Sequence, residues 1–115
     1  KSAQAMAHMQ ADVPFFGSLL RAFFDELPAR RQQMQDDWYR SPQQVKHHSH
    51  ALKGLALTLG LHQLAETAVH TERLAARGAA LPADELVHLE GEMQSAGFQI
   101  LRWLQLHKDV LETTP

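Results

Sequence analysis

Apolar side chains recur at steps of three and four residues along almost the whole chain, and no segment alternates cleanly between apolar and polar. Phe16, Leu19, Leu20, Phe23, Phe24 and Leu27 set the pattern early. Leu86, Leu89, Met93, Ala96, Ile100, Trp103 and His107 repeat it near the other end. A period near 3.6 residues gathers such positions on one helix face, whereas a half-buried strand needs a period of two. With few β-branched residues besides, the chain is confined to all-α folds.

Proline and glycine divide this pattern into elements. Ser2 to Gln10 reads as a short helix with Ala5, Met6 and Met9 as its apolar positions. Asp12 and Pro14 open a longer one. Pro28 is expected to kink or interrupt it, but the pattern resumes from Met34 to Trp38, so one long bent element is expected. In "SPQQ", Ser41 is a candidate N-cap, Pro42 takes the first helical position and Gln44 can close a capping box. The helix it starts should run to about Leu59, with Gly60 at its end. A third should run from Leu61 to about Arg77, stopped by Gly78, and Pro82 opens a fourth. The connections are short, so neighbouring helices should be antiparallel. The expected fold is one domain over residues 1–115, an up-down antiparallel four-helix bundle with a short extra N-terminal helix.

Composition narrows the function. The net charge of -2 argues against nucleic-acid binding. The absence of cysteine removes disulfide scaffolds, cysteine-ligated zinc and thiol catalysis, and fits a reducing compartment. No apolar run approaches the ~20 residues of a membrane span, and no signal-peptide pattern is present. A cytoplasmic domain without direct membrane contact is expected. The chain opens on Lys1 rather than Met, which reads as a processed chain or a piece of a larger protein.

The stretch "HSHALKGLALTLG" carries the chemistry. On a helical wheel, Val45, His48, Leu52, Leu55, Ala56 and Leu59 form the core stripe. The opposite face holds Lys46, His47, His50, Lys53, Gly54, Leu57 and Leu61. A helix-interior glycine costs about 1 kcal/mol relative to alanine. Gly54 lies four residues after His50, where a side chain would crowd the imidazole and anything attached to it. Lys53, three residues after His50, can bring an ammonium to an anion held there. Leu57 and Leu61 extend the face as an exposed apolar patch suited to docking. This pattern describes an accessible nucleophilic histidine able to accept a phosphoryl group. On the third helix, Leu61, Leu64, Ala65, Ala68, Val69 and Ala76 share a face with Glu72 among them. A carboxylate on an apolar seam needs a partner unless it reaches solvent. Glu72 is expected to face His50 and accept a hydrogen bond from its Nδ1–H, leaving Nε2 as nucleophile.

"HALKGLALTLGLHQLAETAVHTE" resembles the histidine phosphotransfer (HPt) domains of multi-step bacterial phosphorelays. His50, Lys53, Gly54, Gly60, Leu64 and Glu72 stand at the places of that family's pattern, and "FFDELPARRQQM" is similar to its preceding helix. Leu55 departs from it, since many members carry a small residue there. The resemblance implies a phosphoryl group arriving from a receiver-domain aspartate, resting on His50 Nε2 and passing to another receiver. It also implies response-regulator receiver domains as partners, with Lys46, His47, Leu57 and Leu61 beside the docking surface. With neither a glycine-rich nucleotide loop nor an acidic metal pocket, the chain should hold no cofactor and should not phosphorylate itself from ATP. A divalent metal such as Mg would come with the partner. Length and the non-Met start favour a domain of a hybrid sensor histidine kinase over a free carrier.

Two other readings stand beside this one. His47 and His50 lie one turn apart and can grip a divalent ion, but zinc sites want three or four protein ligands. A docking module without chemistry is the second, and it leaves His50, Lys53 and Gly54 unexplained. His62 and His70 read as surface residues, and Trp38, Tyr39 and Trp103 as core or boundary anchors. The heptad-like fourth helix can pair with a copy of itself, but it is expected to pack within its own bundle and leave the domain monomeric.

Overall fold

The computed structural model describes residues 12–112. The helix expected over Ser2 to Gln10 lies outside them. Four long helices follow one another: α1 (Val13–Trp38), α2 (Pro42–Thr58), α3 (His62–Ala76) and α4 (Ala83–Leu106). A short α5 (Lys108–Glu112) follows, which the periodicity did not separate from α4. Each long helix packs on its neighbours in chain order and α4 closes back on α1, with no diagonal pairing. This is the up-down antiparallel bundle.

α1 runs through Pro28 without interruption, contrary to one of the two expectations for that residue. Proline withholds the N–H that the carbonyl four residues earlier would receive. Tertiary packing outweighs that loss: Phe23 and Leu27 before the proline and Met34 and Trp38 after it are buried on one stripe. Trp38 is also tethered across the bundle, its indole Nε1–H donating to Pro82 O at 3.1 Å. Tyr39, expected as an anchor, is instead 71% exposed, because α1 has ended and the backbone turns there.

The α1–α2 turn is tied at both ends. Ser41 Oγ accepts the N–H of Gln44 at 3.2 Å, capping α2. The N–H of Ser41, which a full capping box assigns to the Gln44 side chain, donates to Asp37 O at 2.8 Å.

The α2–α3 turn decides the site. Gly60 adopts φ +74°, a left-handed conformation that other residues enter at a penalty. The Leu61 N–H reaches back to Ala56 O at 2.8 Å and the Gly60 N–H to Leu57 O at 3.2 Å, a Schellman motif. This corrects the placement of Leu61. The helix stops before it, so the helical wheel no longer applies, and the turn swings Leu61 into the core at 6% exposure. Leu57, still helical, is 55% exposed. On α3 the buried face is Leu64, Ala65, Thr67, Ala68, Thr71 and Ala75, so Ala75 rather than Ala76 continues the seam. Its small residues let α2 and α3 approach closely, and these two make the most extensive pairing in the bundle.

At the far end, Trp103 meets the Phe16 ring edge-on at 5.4 Å and stacks on His107 at 4.0 Å. α5 folds Leu111 over Gly17, where a Cβ would come within 2.9 Å of Leu111 Cδ2.

Candidate functional site

His50 stands on α2 on the side facing α3, with its side chain 66% exposed. Its Nδ1 lies 2.9 Å from Oε2 of Glu72 on α3. A carboxylate can only accept, so the proton of this bond is on Nδ1, and the Nε2 lone pair is left on the exposed imidazole. The other carboxylate oxygen, Oε1, lies 3.2 Å from Nζ of Lys53. The three side chains form one bridge between two helices, with the carboxylate in the middle.

Glu72 is largely screened from water, unlike His50. Burial pushes its carboxyl up, but the bonds from His50 and Lys53 and the nearby Lys53 charge outweigh burial and hold it below the usual carboxylate range. It is ionised at neutral pH. The Lys53 ammonium, expected beside an anion on the imidazole, is held on Glu72 in the unloaded chain.

Gly54 stands one turn from His50 in open space. A Cβ built there meets nothing within 4 Å. Its carbonyl accepts the Thr58 hydroxyl at 2.9 Å, so the backbone stays capped by its own helix. Lys46, His47 and Leu57 are exposed on α2 with His50. The structure therefore brings His50, Lys53, Gly54 and Glu72 together, lays Lys46, His47 and Leu57 around them, and removes Leu61.

Behind the exposed face lies a second polar cluster that the sequence reading missed. His48 Nε2 is 2.7 Å from Asp37 Oδ2, and the other Asp37 oxygen accepts from Arg40. The Arg40 and His48 bonds hold the Asp37 carboxyl below its usual range against the opposing effect of burial. His48 lies on the inner side of α2, as the wheel places it, but its partner is a carboxylate at the end of α1. Ser49, fully buried between the two histidines, gives its hydroxyl to Val45 O at 2.7 Å. An aspartate and an arginine flanking a tight turn were the only available signals. Asp37, Ser49 and His48 fix the helix from which His50 projects.

No group of three or more His, Cys, Asp or Glu side chains is placed to hold a metal ion among the described residues. His50 already has Glu72 on Nδ1, and His47 meets the His48 ring edge-on at 6.3 Å. His62 and His70 are exposed, the latter 3.5 Å from Glu85. The geometry suits a nucleophile oriented by a carboxylate, with a cation on call and open space in front.

The family model described as Hpt domain matches residues 18–109, most of the chain and the whole of this site. No curated protein and no solved structure matches the chain.

Proposed function

The chain belongs to the Hpt domain family, and from that premise we propose that His50 Nε2 takes a phosphoryl group from a receiver-domain aspartate and returns it to another. The family carries out histidine phosphotransfer in phosphorelays. The bridge from His50 through Glu72 to Lys53 is the observation that carries the assignment to these residues.

In the transfer, the Nε2 lone pair attacks phosphorus in line, the N–P bond forms and the P–O bond to the aspartate breaks. The aspartate leaves as a carboxylate, and no proton need move at Nε2. Positive charge that develops on the ring is shared through Nδ1–H with the ionised Glu72. Lys53, held on the same carboxylate, offsets phosphoryl charge. Phosphoryl transfer asks for alignment and charge neutralisation more than covalent help, and these residues supply the alignment on the acceptor side. A divalent metal such as Mg would be the receiver's contribution. Lys46, His47 and Leu57 form the rim on which a response-regulator receiver docks. Each copy of the chain carries a complete site, so transfer needs no second copy. A place within a hybrid sensor kinase fits this role; among the described residues no helix is long and apolar enough to cross a membrane.

The test is intact mass after exposure to phosphorylated receiver domains, for the wild type and His50→Ala. An acid-labile gain of one phosphoryl group, present in the wild type and absent in the variant, is expected. Equal gain by the variant, with its helicity unchanged, would sink the assignment to His50.

A further inference from the structure

α4 carries two heptad stripes. One (Leu86, Leu89, Met93, Ala96, Ile100, Trp103) packs inside the bundle. The other, Val87, Gly91, Gln94, Phe98 and Leu101, is offset by two residues and lines an open groove of about 820 Å³ between α1 and α4. The groove is on the side of the bundle away from the α2–α3 seam that holds His50, so the proposed transfer leaves it unused. Val87 is 68% exposed and Phe98 64%. Apolar side chains spaced 3 and 4 apart are what one helix offers another.

The stripe is complementary to itself when reversed. Gln94 is its midpoint, with Val87 and Leu101 at its ends and Gly91 and Phe98 between. A two-fold axis at Gln94 lays Phe98 of one copy near Gly91 of the other. Nothing lies within 4 Å of a Cβ built on Gly91, so a notch waits for the ring. Charge follows the same symmetry. At ~100° per residue, Asp84 and Arg102 flank the stripe on the same side, each about 60° from its centre. Both are exposed, and neither makes an ion pair within the described chain. In the reversed pairing Arg102 of each copy meets Asp84 of the other, twice. A parallel pairing would put that flank of the two copies on opposite sides of the seam and form neither ion pair.

We infer that this groove is the docking surface for a second copy of the chain, antiparallel across α4. The α1–α4 face spans about 36 Å by ~20 Å, or roughly 700 Å² in projection, just under the ~800 Å² per partner of a stable standard interface. The dimer is therefore weak and concentration-dependent, and it leaves both His50 sites facing outward.

Sedimentation equilibrium of the full 115-residue chain tests this. The average mass should climb from 13.0 kDa toward twice that value between micromolar and millimolar concentrations. Phe98→Glu, at an exposed position, should abolish the rise with far-UV CD unchanged. Arg102→Glu and Asp84→Arg should each weaken association about three- to tenfold, since two exposed ion pairs are lost. The double exchange should restore it. A chain that stays monomeric at millimolar concentration overturns the inference, as does a dimer indifferent to Phe98→Glu. Failure of the double exchange to restore association overturns the antiparallel arrangement.

Discussion

Adding a side chain at Gly54 should move stability and transfer in opposite directions. Gly54 lies inside α2, and the positive-φ glycines are Gly60 and Gly78, so alanine fits its backbone. A Cβ there meets nothing within 4 Å, and no packing clash offsets the helix preference. The full difference between glycine and alanine should therefore appear, about 0.8–1 kcal/mol of added stability. For a domain of this size that is roughly 3–6 °C in Tm. Thermal unfolding followed by far-UV CD reads it directly, and Gly60→Ala gives the opposite sign, a loss of about 1–2 kcal/mol, because its φ is +74°. Gly54→Leu should keep most of the helix gain while placing four carbons one turn from His50. Transfer from a phosphorylated receiver, timed by quench-flow, should then fall at least about tenfold, since a displacement of ~1 Å from in-line geometry costs about a hundredfold. An alanine variant no more stable than the wild type refutes the open-space reading. A leucine variant that transfers at the wild-type rate refutes the claim that the glycine provides access.

Two further outcomes follow from the same geometry. Leu61→Ala should cost about 2–4 kcal/mol in urea unfolding, whereas Leu57→Ala should stay within about 0.5 kcal/mol; equal costs would return Leu61 to the surface. The lowered Glu72 carboxyl means that the folded chain binds fewer protons there than the unfolded one. Its contribution to stability is thus fully present above its ordinary value of 4.5 and is lost as pH falls through the lower folded value. The stability gap between wild type and Glu72→Gln should shrink below about that pH, and a gap constant down to pH 3 would contradict the bridge to His50 and Lys53.

Much of this molecule is written in local patterns. The α2 cap at Ser41, the stops at Gly60 and Gly78 and the inward stripe of α4 need only neighbouring residues, and spacing alone exposes them. The pairing of His50 with Glu72 was legible because both lie on regular helices joined by a turn with a strong glycine signal. What escaped depends on places where periodicity ends. A helical wheel carried past Gly60 puts Leu61 on the exposed face, although the helix has already ended. Apolar spacing puts Ala76 in the seam where Ala75 belongs, since α3 takes buried Thr67 and Thr71 into its core face and threonine carries no apolar flag. The Asp37–His48–Arg40 cluster joins residues on two sides of a turn, and no single-helix period registers it. α5 follows a one-residue break at His107 that stacking on Trp103 fixes.

The Schellman turn has a consequence beyond reversing the chain. His50 precedes Gly60 by ten residues and Glu72 follows it by twelve, so the two side chains meet only because two helical rises of about 15 Å or more each, measured from one rigid corner, come out level. The corner is a ruler. One residue inserted between His50 and Glu72 would turn the carboxylate by about 100° and slide it by ~1.5 Å, leaving a folded bundle whose histidine has lost its partner. Length can drift between Gly78 and Pro82 without touching the site. From His50 to Glu72 the number of residues is itself part of the chemistry.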